Sequence, residues 1–190
     1  MTKPPDPIVI LAGSLRRRSV SLAAARFVMA ELDGLGRPVQ LATVAELNLP
    51  PFNPDLHRAD LSVSRALLGM ARSCGGMIWS APAYNGSVGG GFKNVLDYLD
   101  LLSEDTPAFL MGKPVGLIAA SGGIAAAVNA ITTLDMVVRA LRGNVIPYSV
   151  PIVRANSLLS DDLTLSHEPT LEMLRLLARE VARRGVDPGA

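Results

Sequence analysis

The sequence predicts an α/β chain, a doubly wound three-layer α/β/α sandwich around a five-stranded parallel sheet. Three observations carry this. Short apolar runs without polar alternation, such as Ile8-Val9-Ile10-Leu11, read as strands buried on both faces. Longer segments between them space their apolar residues as amphipathic helices do. The two kinds alternate along a chain of 190 residues, a length suited to one domain with a full-sized core.

Each element can be justified in turn. The first strand ends in Ala12-Gly13-Ser14, and Ser19 or Ser21 then caps a helix running to about Leu32, stopped by Gly34-Leu35-Gly36. Pro38 to Thr43 is a weaker second strand. Ala45 to Asp60, with Pro50-Pro51 and Asn53-Pro54, reads as loop, and Ser62 to Arg72 as helix. Met77-Ile78-Trp79-Ser80 is a third strand closed by Ala81-Pro82, with a loop to about Gly91 and a helix from Phe92 to Leu102. Pro114 to Ala120 is the fourth strand, followed by Ser121-Gly122-Gly123 and a helix from Ile124 to Leu141. Asn144 to Val153 is a fifth strand, placed at a sheet edge by Pro147 and Pro151. Pro169 to Arg184 is a final amphipathic helix. One domain spans 1–190, with 1–7 and 185–190 expected as frayed tails. Five strands in this length fit the flavodoxin-like arrangement, where ligands bind beyond the carboxyl ends of the strands.

Composition removes several function classes. A formal net charge of +1 argues against a general nucleic-acid binder. One cysteine excludes a disulfide framework, and with two histidines it leaves no ordinary zinc cluster, so no metal is expected. The opening Met1-Thr2-Lys3-Pro4-Pro5-Asp6-Pro7 lacks a signal-peptide pattern, and no run approaches the roughly 18 apolar residues of a membrane span. The expectation is a soluble cytoplasmic protein with neither a membrane nor a nucleic-acid partner. Cys74 and Trp79 are expected in the core, and His57 and His167 in polar loops without metal spacing.

Chemistry is then sought in the loops after the first, third and fourth strands. The first, Gly13-Ser14-Leu15-Arg16-Arg17-Arg18-Ser19-Val20-Ser21, sets three cations before a helix start, where the dipole opposes them unless an anion is bound. It reads as a phosphate site or as a solvated basic turn with serine caps. It matches neither a Walker A loop nor a G-x-G-x-x-G dinucleotide fingerprint. The second, from Ala81 to Asn94, offers Tyr84, Asn85 and a glycine run to a flat heterocycle, or is a plain turn. The third, Ser121-Gly122-Gly123, either presents backbone N–H donors to negative charge on a heterocycle or is a simple strand-to-helix turn.

Taken together these loops resemble the NADPH-dependent FMN reductase family of flavodoxin-like proteins. The family pattern G-S-x-R-x-x-S matches Gly13 to Ser19. Its P-x-Y-N motif and the L-K-N-x-x-D helix start match Pro82-Ala83-Tyr84-Asn85 and Phe92-Lys93-Asn94-Val95-Leu96-Asp97. The resemblance runs from Ile8 to about Arg184. It implies FMN as cofactor or substrate and NADPH or NADH as hydride donor, the alternatives being an NAD(P)H:quinone, azo or metal-ion reductase with tightly bound FMN, or a non-catalytic flavodoxin-type electron carrier. Ser14, Arg16, Ser19 and Ser21 would surround the phosphate. Pro82, Ala83, Tyr84, Asn85 and Gly86 would line the isoalloxazine, and Ser121, Gly122 and Gly123 its pyrimidine side. No catalytic side chain is assigned, because hydride transfer to flavin needs no protein acid or base. The implied partners are NAD(P)H, flavin, a flavin-dependent monooxygenase or small electron acceptor, and further copies in a homodimer or homotetramer. Tyr98 and the helix around Asp97 and Asp100 are candidate subunit contacts. Two departures stand out: Ala83 replaces a glutamate common in members that retain flavin, and Val88-Gly89-Gly90 lacks a common proline.

Overall fold

The computed structural model describes residues 5–16 and 18–185, apart from the side chains of Leu56, His57 and Asn156. The elements run β1 (Ile8–Ala12), α1 (Val20–Gly34), β2 (Val39–Thr43), α2 (Val44–Leu47), α3 (Pro54–Ala59), α4 (Arg65–Ser73), β3 (Gly76–Tyr84), β4 (Ser87–Val88), α5 (Gly90–Asp97), β5 (Pro114–Ala120), α6 (Ile124–Ala140), β6 (Asn144–Ile152) and α7 (Glu168–Arg184). The sheet order is β2-β1-β3-β5-β6, with every neighbouring pair parallel. The chain moves from β1 outward to β2, then crosses back to β3. The loops after β1 and β3 therefore diverge and leave a crevice at the sheet's carboxyl edge.

Strand alternation sorts the core into two layers. Val9, Leu11, Met77, Trp79, Leu117 and Ala119 pack on one face with residues of α4, α5 and α6. Ile8, Ile10, Ile78 and Ile118 pack on the other with α1 and α7. Because β1 and β5 are buried at every residue, they read as unbroken apolar runs. Gly116 lets α7 lie close on β5: a Cβ there would sit 2.9 Å from Val181 Cγ2 and 3.0 Å from Leu177 Cδ1.

The architecture follows the expectation, with five parallel strands, but a sixth, two-residue strand is added. β3 does not end at Ser80. It continues to Tyr84 and turns back antiparallel, pairing Tyr84 with Ser87 and Ala83 with Val88. The turn is Asn85-Gly86, with φ of 49° and 82°. An Asn-Gly pair that takes positive φ at both positions makes the tight hairpin turn matching strand twist. The segment expected as loop between Ala45 and Asp60 contains α2 and α3, with Thr43 and Glu46 forming a reciprocal capping box at the start of α2. β6 is an edge strand with a register irregularity opposite Val115 and Leu117, and Pro147 lies there.

Of the expected tails, 1–4 and 186–190 lie outside the described residues. Pro7 accepts from Gly75 N–H at 2.9 Å, and the Gly185 carbonyl accepts from Arg37 at 2.5 Å.

Candidate functional site

The carboxyl ends of β1, β3 and β5 adjoin, and an open cleft of about 220 Å³ lies over them. Its wall is built from all three loops. Ser14, Arg16, Arg18, Ser19, Val20 and Ser21 come from the first, Pro82, Ala83 and Tyr84 from β3, and Ala120, Ser121 and Gly122 from the end of β5, with Ala155 beyond β6.

Local bonding fixes the first loop. Gly13 N–H donates to the Ser80 carbonyl at 2.8 Å, and a Cβ at Gly13 would collide with the Phe92 ring. Ser14 Oγ accepts from Arg16 N–H at 3.1 Å. Ser19 is the N-cap of α1, accepting from Leu22 N–H at 3.1 Å, and its hydroxyl lies 3.0 Å from that of Ser21. Ser14 thus uses an acceptor site internally and keeps its O–H to donate, and the Ser19–Ser21 pair likewise retains one hydroxyl hydrogen. The first turn of α1 contains no acidic residue. Free N–H groups, hydroxyl donors and the Arg16 and Arg18 guanidiniums converge with no carboxylate among the cleft-lining residues. This donor set suits an anion. Arg17 of the expected cluster lies outside the described residues.

On the β5 side, Ser121 N–H is spent on the Ile152 carbonyl, and Ser121 Oγ donates to the Gly123 carbonyl. Among the described residues, Gly122 and Gly123 N–H have no backbone acceptor, and a Cβ on either would enter open space. A planar group can therefore approach this backbone closely. Tyr84 is 46% exposed at the rim.

Nine of the twelve expected residues line the cleft: Ser14, Arg16, Ser19, Ser21, Pro82, Ala83, Tyr84, Ser121 and Gly122. Asn85, Gly86 and Gly123 do not. The first two form the hairpin tip, and Gly123 is the N-cap of α6. Val20, Ala120 and Ala155 line it without having been singled out, and so does Arg18, expected only as part of the cationic cluster Arg16 to Arg18. Arg18 was legible as part of the arginine run; Ala155 carried no sequence signal.

Other expectations change. Pro82-Ala83-Tyr84 is strand rather than loop. Asn94 of the helix-start motif serves structure: its Oδ1 accepts from Phe52 N–H and its Nδ2 donates to the Pro50 carbonyl, both at 2.8 Å. Tyr98 is fully buried, with its hydroxyl donating to Pro50 at 3.1 Å, so it is no subunit contact. His167 lies at the N-cap of α7 with Nδ1 2.9 Å from Thr170 Oγ1, while the His57 side chain lies outside the described residues. Cys74 is buried, and burial raises its thiol pKa against the opposing pull of Lys113. Among the described residues no cluster could hold a metal ion, and no helix is long and apolar enough to cross a membrane.

Comparison with known proteins decides the family. The model for NADPH-dependent FMN reductase matches residues 7–157. The chain belongs to this family. It is therefore an oxidoreductase of the FMN-dependent, NADPH-using kind. It is 25% identical over 170 residues to an NADPH azoreductase of Bacillus sp. (strain OY1-2), covering 87% of this chain and 89% of that protein. It is 32% identical over 119 residues to a quinone reductase of Escherichia coli K12, covering 62% and 61%. Among solved structures, the flavoenzyme NAD(P)H:(acceptor) oxidoreductase FerB of Paracoccus denitrificans superposes with TM-score 0.76 at 19% identity, covering 95% of this chain and 97% of that one. The apo form of the NADH:FMN oxidoreductase EmoB gives 0.68 at 20% identity, covering 96% and 91%. These two likenesses speak to the fold.

Proposed function

We propose that the cleft over β1, β3 and β5 is where this FMN reductase holds FMN and where hydride arrives from NADPH or NADH. The observation that carries the reading is the pairing of two chemistries in one cleft. An anion-seeking end is made by Ser14, Arg16, Ser19, Ser21 and the start of α1. A flat end is made by the strand backbone at Pro82-Ala83-Tyr84 and by the side-chain-free Gly122. A phosphate ester of an aromatic ring needs both.

FMN, when bound, supplies the hydride-accepting ring. The residues of this chain do the remainder. Ser14, Arg16 and the first N–H groups of α1 bind the terminal phosphate. Pro82 holds the ring's position through a rigid strand end, where its carbonyl is already committed to Gly89 N–H at 2.8 Å. Gly122 N–H would donate to negative charge on the bound ring. Tyr84, at the rim, would shield bound FMN from water.

A second reading, that FMN stays bound and electrons pass to a quinone or azo compound, is supported by the relatives named quinone reductase and azoreductase. Transfer of reduced flavin to a separate monooxygenase fits Ala83 in place of glutamate. We place the enzyme in the cytoplasm and read it as a homodimer or homotetramer, the assembly being supported by the exposed Ile124, Val128 and Met136 along α6. Anaerobic mixing of the FMN-loaded protein with NADPH, and separately with NADH, tests the main reading. Loss of the oxidised-flavin absorbance is the expected result, and an unchanged spectrum with both donors refutes it.

A further inference from the structure

We propose that Arg18 selects for the ligand's phosphate and that Asp161 competes with that phosphate for its guanidinium. This rests on the reading of the cleft as a phosphate site. Arg18 lines the cleft, yet its Nη2 also donates to the Ser160 carbonyl at 3.2 Å and lies 3.6 Å from Asp161 Oδ1. One guanidinium is thus shared between the cleft and the segment after β6.

That segment does not depend on Arg18 for its shape. Ala155 N–H donates to the Ser121 carbonyl at 2.9 Å. Ser160 N–H donates to the Thr164 carbonyl at 3.0 Å, Thr164 N–H returns to Ser160 Oγ at 3.0 Å, and Leu159 bridges Leu165. Asp161 is therefore presented on a self-supported turn, and Arg18, long and half-exposed, is the partner free to move. An exposed monovalent carboxylate at this distance is a weak counter-ion. A phosphate monoester offers up to two charges and three acceptor oxygens at the start of α1. The guanidinium accordingly turns toward the phosphate when one is present, while a flavin without phosphate leaves it with Asp161. Asp161 sets how much phosphate binding must gain before Arg18 is released.

The experiment titrates FMN and riboflavin into four proteins: wild type, Arg18→Ala, Asp161→Asn and the double variant, following flavin fluorescence. Arg18→Ala weakens FMN by about tenfold or more and leaves riboflavin unchanged. Asp161→Asn tightens FMN by about two- to fivefold. In the double variant that gain disappears, because it acts through Arg18. An unchanged FMN-to-riboflavin ratio in Arg18→Ala overturns the selecting role. A gain from Asp161→Asn that persists without Arg18 overturns the competition and assigns Asp161 to the general field. A wild type with no preference for FMN over riboflavin overturns the phosphate reading of the cleft itself, and this proposal with it.

Discussion

Ser80 Oγ donates to the Ser21 carbonyl at 2.8 Å, with both residues buried. This bond ties the middle strand of the sheet to the first turn of α1, where the candidate phosphate site begins. Gly13 N–H answers it from the other side by donating to the Ser80 carbonyl. One residue of β3 thus fixes both ends of the first loop. Ser80→Ala removes the side-chain bond and is expected to cost about 1 kcal/mol. Thermal unfolding should show a fall of roughly 2–4 °C, and FMN should bind more weakly as the loop loosens.

Arg16 contributes a cation to the anion-seeking end of the cleft. Arg16→Ala should weaken FMN by about 1.5–3 kcal/mol, as loss of a charge-assisted bond does. Riboflavin affinity should stay within error. Parallel titrations measure both, and an equal loss for the two ligands contradicts a phosphate contact.

Two glycines give opposite outcomes. A Cβ at Gly122 meets nothing within 4 Å, whereas one at Gly116 lies 2.9 Å from Val181. Gly122→Val should abolish or sharply weaken flavin binding while leaving stability within about 0.5 kcal/mol. Gly116→Ala should cost about 1–3 kcal/mol through overpacking while flavin affinity, measured on the folded fraction, is retained. Denaturant unfolding and flavin titration separate the two.

The fold and part of the site were legible in the sequence, for identifiable reasons. β1 and β5 flank the middle strand and are buried on both faces, so their apolar runs are unbroken and their ends clear. The first loop announced itself through cations at a helix start. β3 was cut short because Pro82 reads as a terminator, although the strand tolerates it: this is where parallel pairing gives way to the hairpin. The Asn85-Gly86 pair is the local signal for that hairpin. Asn94 was counted within a family motif, but what it holds is the Pro50–Phe52 segment, a contact across 42 residues of chain that no local pattern reports. Ala155 reaches the cleft only through the sheet order, which places β6 beside β5.

Acid should weaken the ion pair that Arg175 makes with Glu168 inside α7. Arg175 holds the Glu168 carboxyl below its ordinary value, pairs with Glu172, reaches Glu31 at 3.5 Å and stacks on Phe27. A carboxyl depressed in the folded state stabilises above its unfolded pKa, and that contribution is lost as pH falls through the folded value. Arg175→Ala should therefore lower Tm at neutral pH, and the gap from wild type should narrow as the Glu168 carboxylate protonates. A gap independent of pH would assign the loss to the Phe27 contact.

Steady-state NADPH oxidation by the flavin-stripped protein, with FMN and riboflavin added side by side, tests the central claim most directly. The cleft described above predicts turnover that depends on added flavin, half-saturates at lower FMN than riboflavin, and disappears in Gly122→Val. Oxidation no faster than in buffer, with either flavin and with NADH in place of NADPH, would contradict it.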